Sequence, residues 1–508
     1  MSSQRSPLTD STNPDWRKKE LAIAASNAAK LGGSLIITWS IGLVARLYIP
    51  RFLGPDLFGM LNFAEAFTAT AFVLTDLGID TYVRKEISVH PERANEFVGG
   101  VVFVRSVLTL LTFFGMELVL RATRSPASAH TLVFIFGITQ FFTIGNNTSA
   151  GLLQAVGRVG EMSAYSIATK LIWGIALGCA IFFRLDLWAF AAAYALTEVV
   201  KSTVLFRLAK RYVGFSMVVN WRATRAVLIA ALPFFVSGLA TKVYDKIGVS
   251  LLAFMTSERE VGWYGAAGGL VGLTMLLAPL LGWVVIPLFA RSAAKSKEDF
   301  YGMVRRSLEF VVSLSIPVSW LMMIGADYWV SFVFGQAYAP AALALRLLAV
   351  ATALMYVSII SFNALAVLNY TWHMSLVAVG GMFISPLANW LVIPRMVSLL
   401  GPGGGAAGSS LATVITEVGV VVPLFFFLGR RGYDRRLIVN SSKNLACAIL
   451  VTCLHLWLPT RFGFYRILID TMVYTIIVLS IGGIDIRQLM RLVKLRSALR
   501  SEQAAQSD

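Results

Sequence analysis

The chain has 508 residues, 57% hydrophobic and only 14% charged, whereas soluble domains run near 45–50% apolar and about 25% charged. That balance excludes a soluble globular protein. A formal net charge of +17 could suggest nucleic acid, but the basic residues cluster between apolar stretches, as on a protein facing anionic lipid, so nucleic acid binding is not needed to explain it.

The pattern is that of an all-α integral membrane protein with about 14 transmembrane helices, each near the roughly 20 residues a bilayer needs. We expect two six-helix lobes plus two extra C-terminal helices. Residues 1–26 read as a cytoplasmic N-terminal tail, too polar for a cleaved signal peptide. The N-lobe, 27–215, carries spans near 27–49, 59–82, 97–120, 131–153, 163–183 and 187–206. The C-lobe, 226–430, carries spans near 226–255, 261–290, 308–333, 341–367, 372–393 and 408–429. Spans near 443–458 and 465–484 fill residues 431–486, and 487–508 form a basic cytoplasmic tail. The dense basic clusters Arg207 to Arg225, Arg291 to Arg306, Arg430 to Lys443 and Arg487 to Arg500 all fall on one side of this arrangement. The positive-inside rule makes that side cytoplasmic and puts both termini there, in a multi-pass protein of the cell inner membrane.

Loops on the opposite side are too short for a catalytic domain, and no G-x-x-x-x-G-K-[ST] phosphate loop occurs. The expectation is therefore a transporter rather than an enzyme, with no cofactor. The four histidines show no metal spacing. Cys179, Cys447 and Cys453 all fall in apolar runs and read as small buried core residues.

The two halves enter their second spans alike, with LGPDLFGMLNFA (53–64) and TSEREVGWYGAA (256–267) each placing a glycine, Gly59 or Gly262, after an acidic turn. Duplicated bundles are common in transporters, whose substrate sites lie at the repeat interface. Prolines concentrate in the second half, at Pro233, Pro279, Pro287, Pro317, Pro386 and Pro423. They either reflect the general tolerance of membrane helices for proline or mark helices that bend during transport.

Residues 51–87, RFLGPDLFGMLNFAEAFTATAFVLTDLGIDTYVRKEI, contain R-x-L-G-P-x-x-F-G, then VLTDLGID and the basic pair Arg84–Lys85. Residues 244–267, YDKIGVSLLAFMTSEREVGWYGAA, add a D-K start and V-G-x-Y-x-A-A. Together these stretches resemble the polysaccharide-biosynthesis membrane proteins, the O-antigen and teichoic-acid exporters of the multidrug, oligosaccharidyl-lipid and polysaccharide exporter superfamily. The resemblance implies a flippase for an undecaprenyl-diphosphate-linked oligosaccharide in surface (lipopolysaccharide-type) polysaccharide biosynthesis. Membrane lipids, and an association with polysaccharide polymerase machinery, are the partners it would imply.

Charges inside the spans carry the mechanistic expectation. Lys242, Asp245 and Lys246 share one helix face by their i, i+3, i+4 spacing. Together they cost roughly 7–10 kcal/mol at a helix centre on insertion scales, about as much as the apolar residues of that span return. The face should therefore meet the bundle interior or water. Pairing of Asp245 with Lys242 would leave Lys246 open to an anion, and a closed ion-pair network is the alternative. Arg105, Lys170, Arg346 and Arg46 are further cationic cavity candidates, with Asn146 and Asn147 as partners for sugar hydroxyls. Lys201 is expected to pair with Glu198, and Asp76 and Asp80 with Arg84 and Lys85. Asp245, Glu417 and Glu65 could carry a coupling H+ or Na+. An ion-coupled multidrug-type exporter of small cationic compounds is the competing function; it would want an acidic cavity.

Overall fold

A computed structural model describes residues 14–79, 94–156, 158–213, 218–457 and 463–482, nearly all of them helical. The helices are α1 (Pro14–Ala71), α2 (Val73–Asp76), α3 (Ala94–Ala122), α4 (Ala127–Ala155), α5 (Val159–Phe182), α6 (Leu187–Val213), α7 (Trp221–Met255), α8 (Glu258–Thr274), α9 (Ala278–Lys295), α10 (Lys297–Ile324), α11 (Ala326–Phe334), α12 (Ala341–Val367), α13 (Thr371–Leu400), α14 (Gly404–Leu428), α15 (Arg435–Trp457) and α16 (Gly463–Ser480). Ten stretches among the described residues are long and apolar enough to cross a membrane. One of them, Gly33–Asp76, runs for 44 residues and holds the first two expected spans together. The protein is an all-α, multi-pass membrane protein.

The break between those two spans falls at a single residue. Gly54 has φ 75° and ψ 169° inside α1, a conformation that costs glycine nothing sterically. Pro55 follows it and has no N–H to offer the carbonyl one turn back. Just before the break, the Tyr338 hydroxyl donates to the carbonyl of Pro50 at 2.7 Å. The RFLGPDLFG stretch is thus a built kink, held next to a contact from elsewhere in the chain.

The span expected at 261–290 is broken too. The chain leaves α8, passes through a single 3-10 turn at Met275–Leu277, and starts again as α9. Pro279 stands second in α9, where its missing N–H falls among donors that have no intrahelical partner anyway. Pro287, Pro317, Pro386 and Pro423 lie inside helices.

Contacts divide the chain into two compact units, whose boundaries fall within α1 and α7. The first contains residues 1–46 and 68–238. In it α4 and α5 pack on α6, and a core of Ile79, Val98, Val101, Leu152, Leu153, Met162, Leu205 and Val227 closes one end. The second contains 47–67 and 239–508. Here α14 packs between α12 and α13, α10 lies on α12, and a large apolar cluster runs through Phe289, Phe300, Leu308, Ile360 and Leu424. The C-terminal pair belongs to this unit: Trp320 on α10 stacks on Tyr474 of α16 at 4.6 Å and donates to Thr452 of α15 at 3.0 Å.

The two glycine motifs of the expected repeat meet within the second unit. A Cβ on Gly59 would run into the carbonyl of Glu258, and a Cβ on Gly262 into the carbonyl of Pro55. Asp56 and Arg259 pair beside them at 2.8 Å, separated by the same 203 residues as the two glycines. The contact is therefore reciprocal, as expected when two copies of one motif pack about a local two-fold axis. The resemblance between the two sequence stretches is the imprint of that packing.

Of the three cysteines only Cys447 is buried; Cys179 and Cys453 are exposed. The expectation that apolar context means burial fails here because a membrane helix also turns an apolar face to lipid.

Candidate functional site

The α7 face stands in the second unit. Lys242, Asp245 and Lys246 are all exposed, so the three charges are not sealed in a protein core. Asp245 pairs with Lys246 at 3.2 Å, the two side chains remaining 54% and 48% exposed. This corrects the expectation that Lys246 stays open while Asp245 engages Lys242. The long lysine chain reaches back to its immediate neighbour although consecutive helical residues point in different directions. With both groups about half exposed, water screens the pair, and its net contribution is small.

Behind this face lies a polar column of which the sequence reading named only Glu417. Glu417 of α14 is buried at 2% exposure and accepts from Ser358 of α12 at 3.2 Å. Asp245 lies within electrostatic reach of both Glu417 and Tyr244. Ser385 of α13 donates to the Tyr244 carbonyl at 3.2 Å, and Asn389 donates back to Ser385 at 2.9 Å. Ser409 donates to the Asn389 side-chain oxygen at 2.9 Å, and the Tyr264 hydroxyl lies 3.3 Å from Thr413. The signal was available: Ser409, Thr413 and Glu417 recur every four residues, as do Ser385 and Asn389, so each set forms a stripe on one helix face. Chemically, the arrangement is an accessible cationic face backed by a buried carboxylate with a hydroxyl partner.

The other candidates separate into distinct places. In the first unit, Lys170 puts its ammonium 3.5 Å from the centre of the Trp173 ring and 5.7 Å from that of Tyr194, a cation–π seat for a half-buried charge. Arg46 and Asn147 are exposed there. Asn146 is buried and donates to Glu198 through both the carbonyl (3.0 Å) and the carboxylate (2.8 Å), so it ties α4 to α6. Lys201 lies 3.8 Å from Glu198, as expected. Arg105, 6% exposed, donates to the Asp76 carbonyl at 2.6 Å and to the Thr148 hydroxyl. Its guanidinium is 3.8 Å from the Asp76 carboxylate. Arg84, Lys85 and Asp80 lie outside the described residues. In the second unit, Glu65 is exposed and Arg346 is closed into an ion pair with Asp327.

The comparisons with known proteins agree with this architecture. The probable low-salt glycan biosynthesis flippase Agl15 of Haloferax volcanii is 19% identical over 374 residues, 73% of this chain and 77% of that protein. Among solved structures, the lipid II flippase MurJ in an inward closed conformation superposes with a TM-score of 0.62 at 15% identity, covering 89% of this chain and all of that one. The Vibrio cholerae MATE transporter VcmN gives a TM-score of 0.54 at 14% identity, over 81% of this chain and 99% of that one. These likenesses establish a shared fold. Residues 24–293, just over half of the sequence, match the family of polysaccharide biosynthesis proteins, and with its kinked first helix, its paired glycine motifs and its charged α7 face this chain belongs to that family.

Proposed function

We propose that this protein is a flippase that carries a polyprenyl-diphosphate-linked oligosaccharide across the cytoplasmic membrane by alternating access. The carrying observation is the accessible face of α7, with two lysines to one aspartate in the middle of an apolar helix. Intramembrane ionisable groups are retained where they serve a substrate or ion path. A diphosphate is the ligand that a net-cationic face suits, while the prenyl chain stays in hydrocarbon. At about 4 Å and an effective dielectric near 20, a lysine–phosphate contact is worth roughly 4 kcal/mol before desolvation. In this reading Asp245 holds Lys246 while the site is empty and yields it to the incoming phosphate. Family membership and the glycan flippase named among the relatives support the reading. The fold shared with a MATE transporter keeps export of cationic compounds as the rival, and the excess of lysine on the face argues against it.

Glu417 is the group we assign to ion coupling, whether of H+ or Na+, since it is a buried carboxylate beside the face rather than on it. Arg46 and Lys170 are the cations of the first unit that we assign to an anionic substrate. Both termini are assigned to the cytoplasm, and the polymerase that consumes the exported glycan is the natural partner.

The test is charge reversal at the face. Lys246→Glu, at wild-type abundance in the membrane, should abolish export and leave lipid-linked precursor on the cytoplasmic leaflet. Lys246→Arg should keep part of the activity, and Lys246→Ala should weaken substrate binding by roughly 1–3 kcal/mol. Normal export by Lys246→Glu would overturn the proposal.

A further inference from the structure

The end of the second unit where α9 turns into α10 and α14 into α15 is strongly basic. Lys295 and Lys297 flank the first turn, and Arg430, Arg431, Arg435 and Arg436 surround the second; all six are exposed. The acids of the same two turns are engaged within the protein. Glu298 and Asp434 face Arg305 at 3.3 and 4.0 Å. Asp434 also accepts from the Leu437 amide at 2.9 Å, and Asp299 accepts from the Ser296 hydroxyl at 2.8 Å. Arg305 donates to the Arg431 carbonyl at 3.1 Å, which ties the two turns into one surface. Phe289 and Phe300 are buried beneath the α9–α10 turn with their rings 5.7 Å apart, so the surface rests on packed core.

Three of these cations stand where folding does not favour them. Lys297 is the first residue of α10, and Arg435 and Arg436 open α15. The N-terminal end of a helix carries partial positive charge, which favours anions and opposes cations. Position relative to the bilayer adds a second argument. α10 has 28 residues, about 42 Å of helix against roughly 30 Å of hydrocarbon. Its Ile324 end is apolar, so the surplus of about 12 Å falls at the Lys297 end, and a head-group layer takes up only about 5–8 Å of it. Lys295 and Lys297 thus lie beyond the lipid phosphates, in water. The sequence that follows α16 carries Arg487 to Arg500, of the same sign, so it is no complement to this surface.

We propose that the two turns together form a docking surface for the acidic face of a water-soluble protein. Charge complementarity supplies the recognition. The cations at the two helix starts are retained at a cost in stability because the partner uses them. The proposal is independent of what the α7 face carries.

The experiment uses the full-length protein in nanodiscs of phosphatidylcholine and a fluorescein-labelled glutamate-rich peptide, read by fluorescence anisotropy at physiological ionic strength. The same peptide with glutamine in place of glutamate is the uncharged control and should bind at least tenfold more weakly. Reversal at the tip, Lys295→Glu with Lys297→Glu, should lower affinity for the acidic peptide tenfold or more. Arg435→Gln with Arg436→Gln should do the same while raising Tm, because the start of α15 is relieved of two cations. This second pair decides the matter if the reversal variant fails to fold. Lys210→Glu with Arg211→Glu, exposed in the first unit, should leave binding unchanged. Equal loss in that control would mean attraction to net charge alone and would overturn the proposal. So would wild-type affinity in either folded surface variant. Loss of peptide binding when phosphatidylglycerol is added to the nanodisc would also overturn it, by assigning the surface to anionic lipid.

Discussion

Glu260 shows what a single buried charge does in this fold. It opens α8, is 7% exposed, and its carboxylate accepts from the backbone amides of Gly403 at 2.7 Å and Ala406 at 2.8 Å. Those amides belong to the first turn of α14, where N–H groups lack helical partners and the helix dipole favours negative charge. The side chain thus acts as a capping group supplied by another helix. Glu260→Ala should destabilise the protein by about 2–4 kcal/mol, because charge-assisted bonds are lost and buried amides are left bare; Glu260→Gln should lose less. Thermal unfolding of the purified variants checks both values. Glu417 is buried for a different end. If it couples transport to an ion, Glu417→Gln should leave abundance and substrate binding near normal while gradient-driven transport falls at least tenfold, a split measurable in vesicles with and without an imposed gradient.

At the scale of the element, the crossing of α1 and α8 depends on having no side chain at two points. Gly59→Leu or Gly262→Leu drives carbons into backbone carbonyls rather than into movable side chains, so the helices themselves must separate. Overpacking a tight contact costs about 1–3 kcal/mol and often more when backbone must shift. The folded fraction on size-exclusion chromatography should drop for each single variant. The Asp56–Arg259 pair beside the crossing is exposed, and its removal should be nearly silent. The prolines of α9 are tested through motion instead. The Pro279→Ala, Pro287→Ala double variant should insert at normal abundance but transport more slowly, because an N–H at position 287 restores a bond within the helix and a freer φ at 279 loosens the break before it. Unchanged transport rates would mean that the break is merely tolerated.

For the whole molecule the open quantity is orientation in the membrane. Under the positive-inside rule, the basic clusters at 207–225, 291–306 and 430–443 predict the α3–α4 turn outside and the α9–α10 turn inside. In a background with the three native cysteines replaced, Arg124→Cys should be labelled by a membrane-impermeant maleimide on intact cells. Lys295→Cys should be labelled only after lysis. Both positions are exposed, so a reversed pattern could not be blamed on burial and would invert the topology.

Composition and hydropathy by themselves determined that the chain is an all-α membrane protein, because hydrocarbon forces every backbone group to be satisfied within its own helix. They also determined most helix positions, and the motifs at 51–87 and 244–267 together indicated the family. Spacing alone put Lys242, Asp245 and Lys246 on one face, and proximity in sequence was enough to pair Lys201 with Glu198. What remained for the tertiary structure was every relation between distant residues. Whether Asp245 engages Lys242 or Lys246 depends on rotamers, which spacing does not set. That Arg105 meets the carbonyl of Asp76, or that Glu260 caps α14, follows from how helices far apart in sequence pack. Hydropathy cannot see such contacts, since it records how much each residue avoids water and nothing about which neighbour takes water's place.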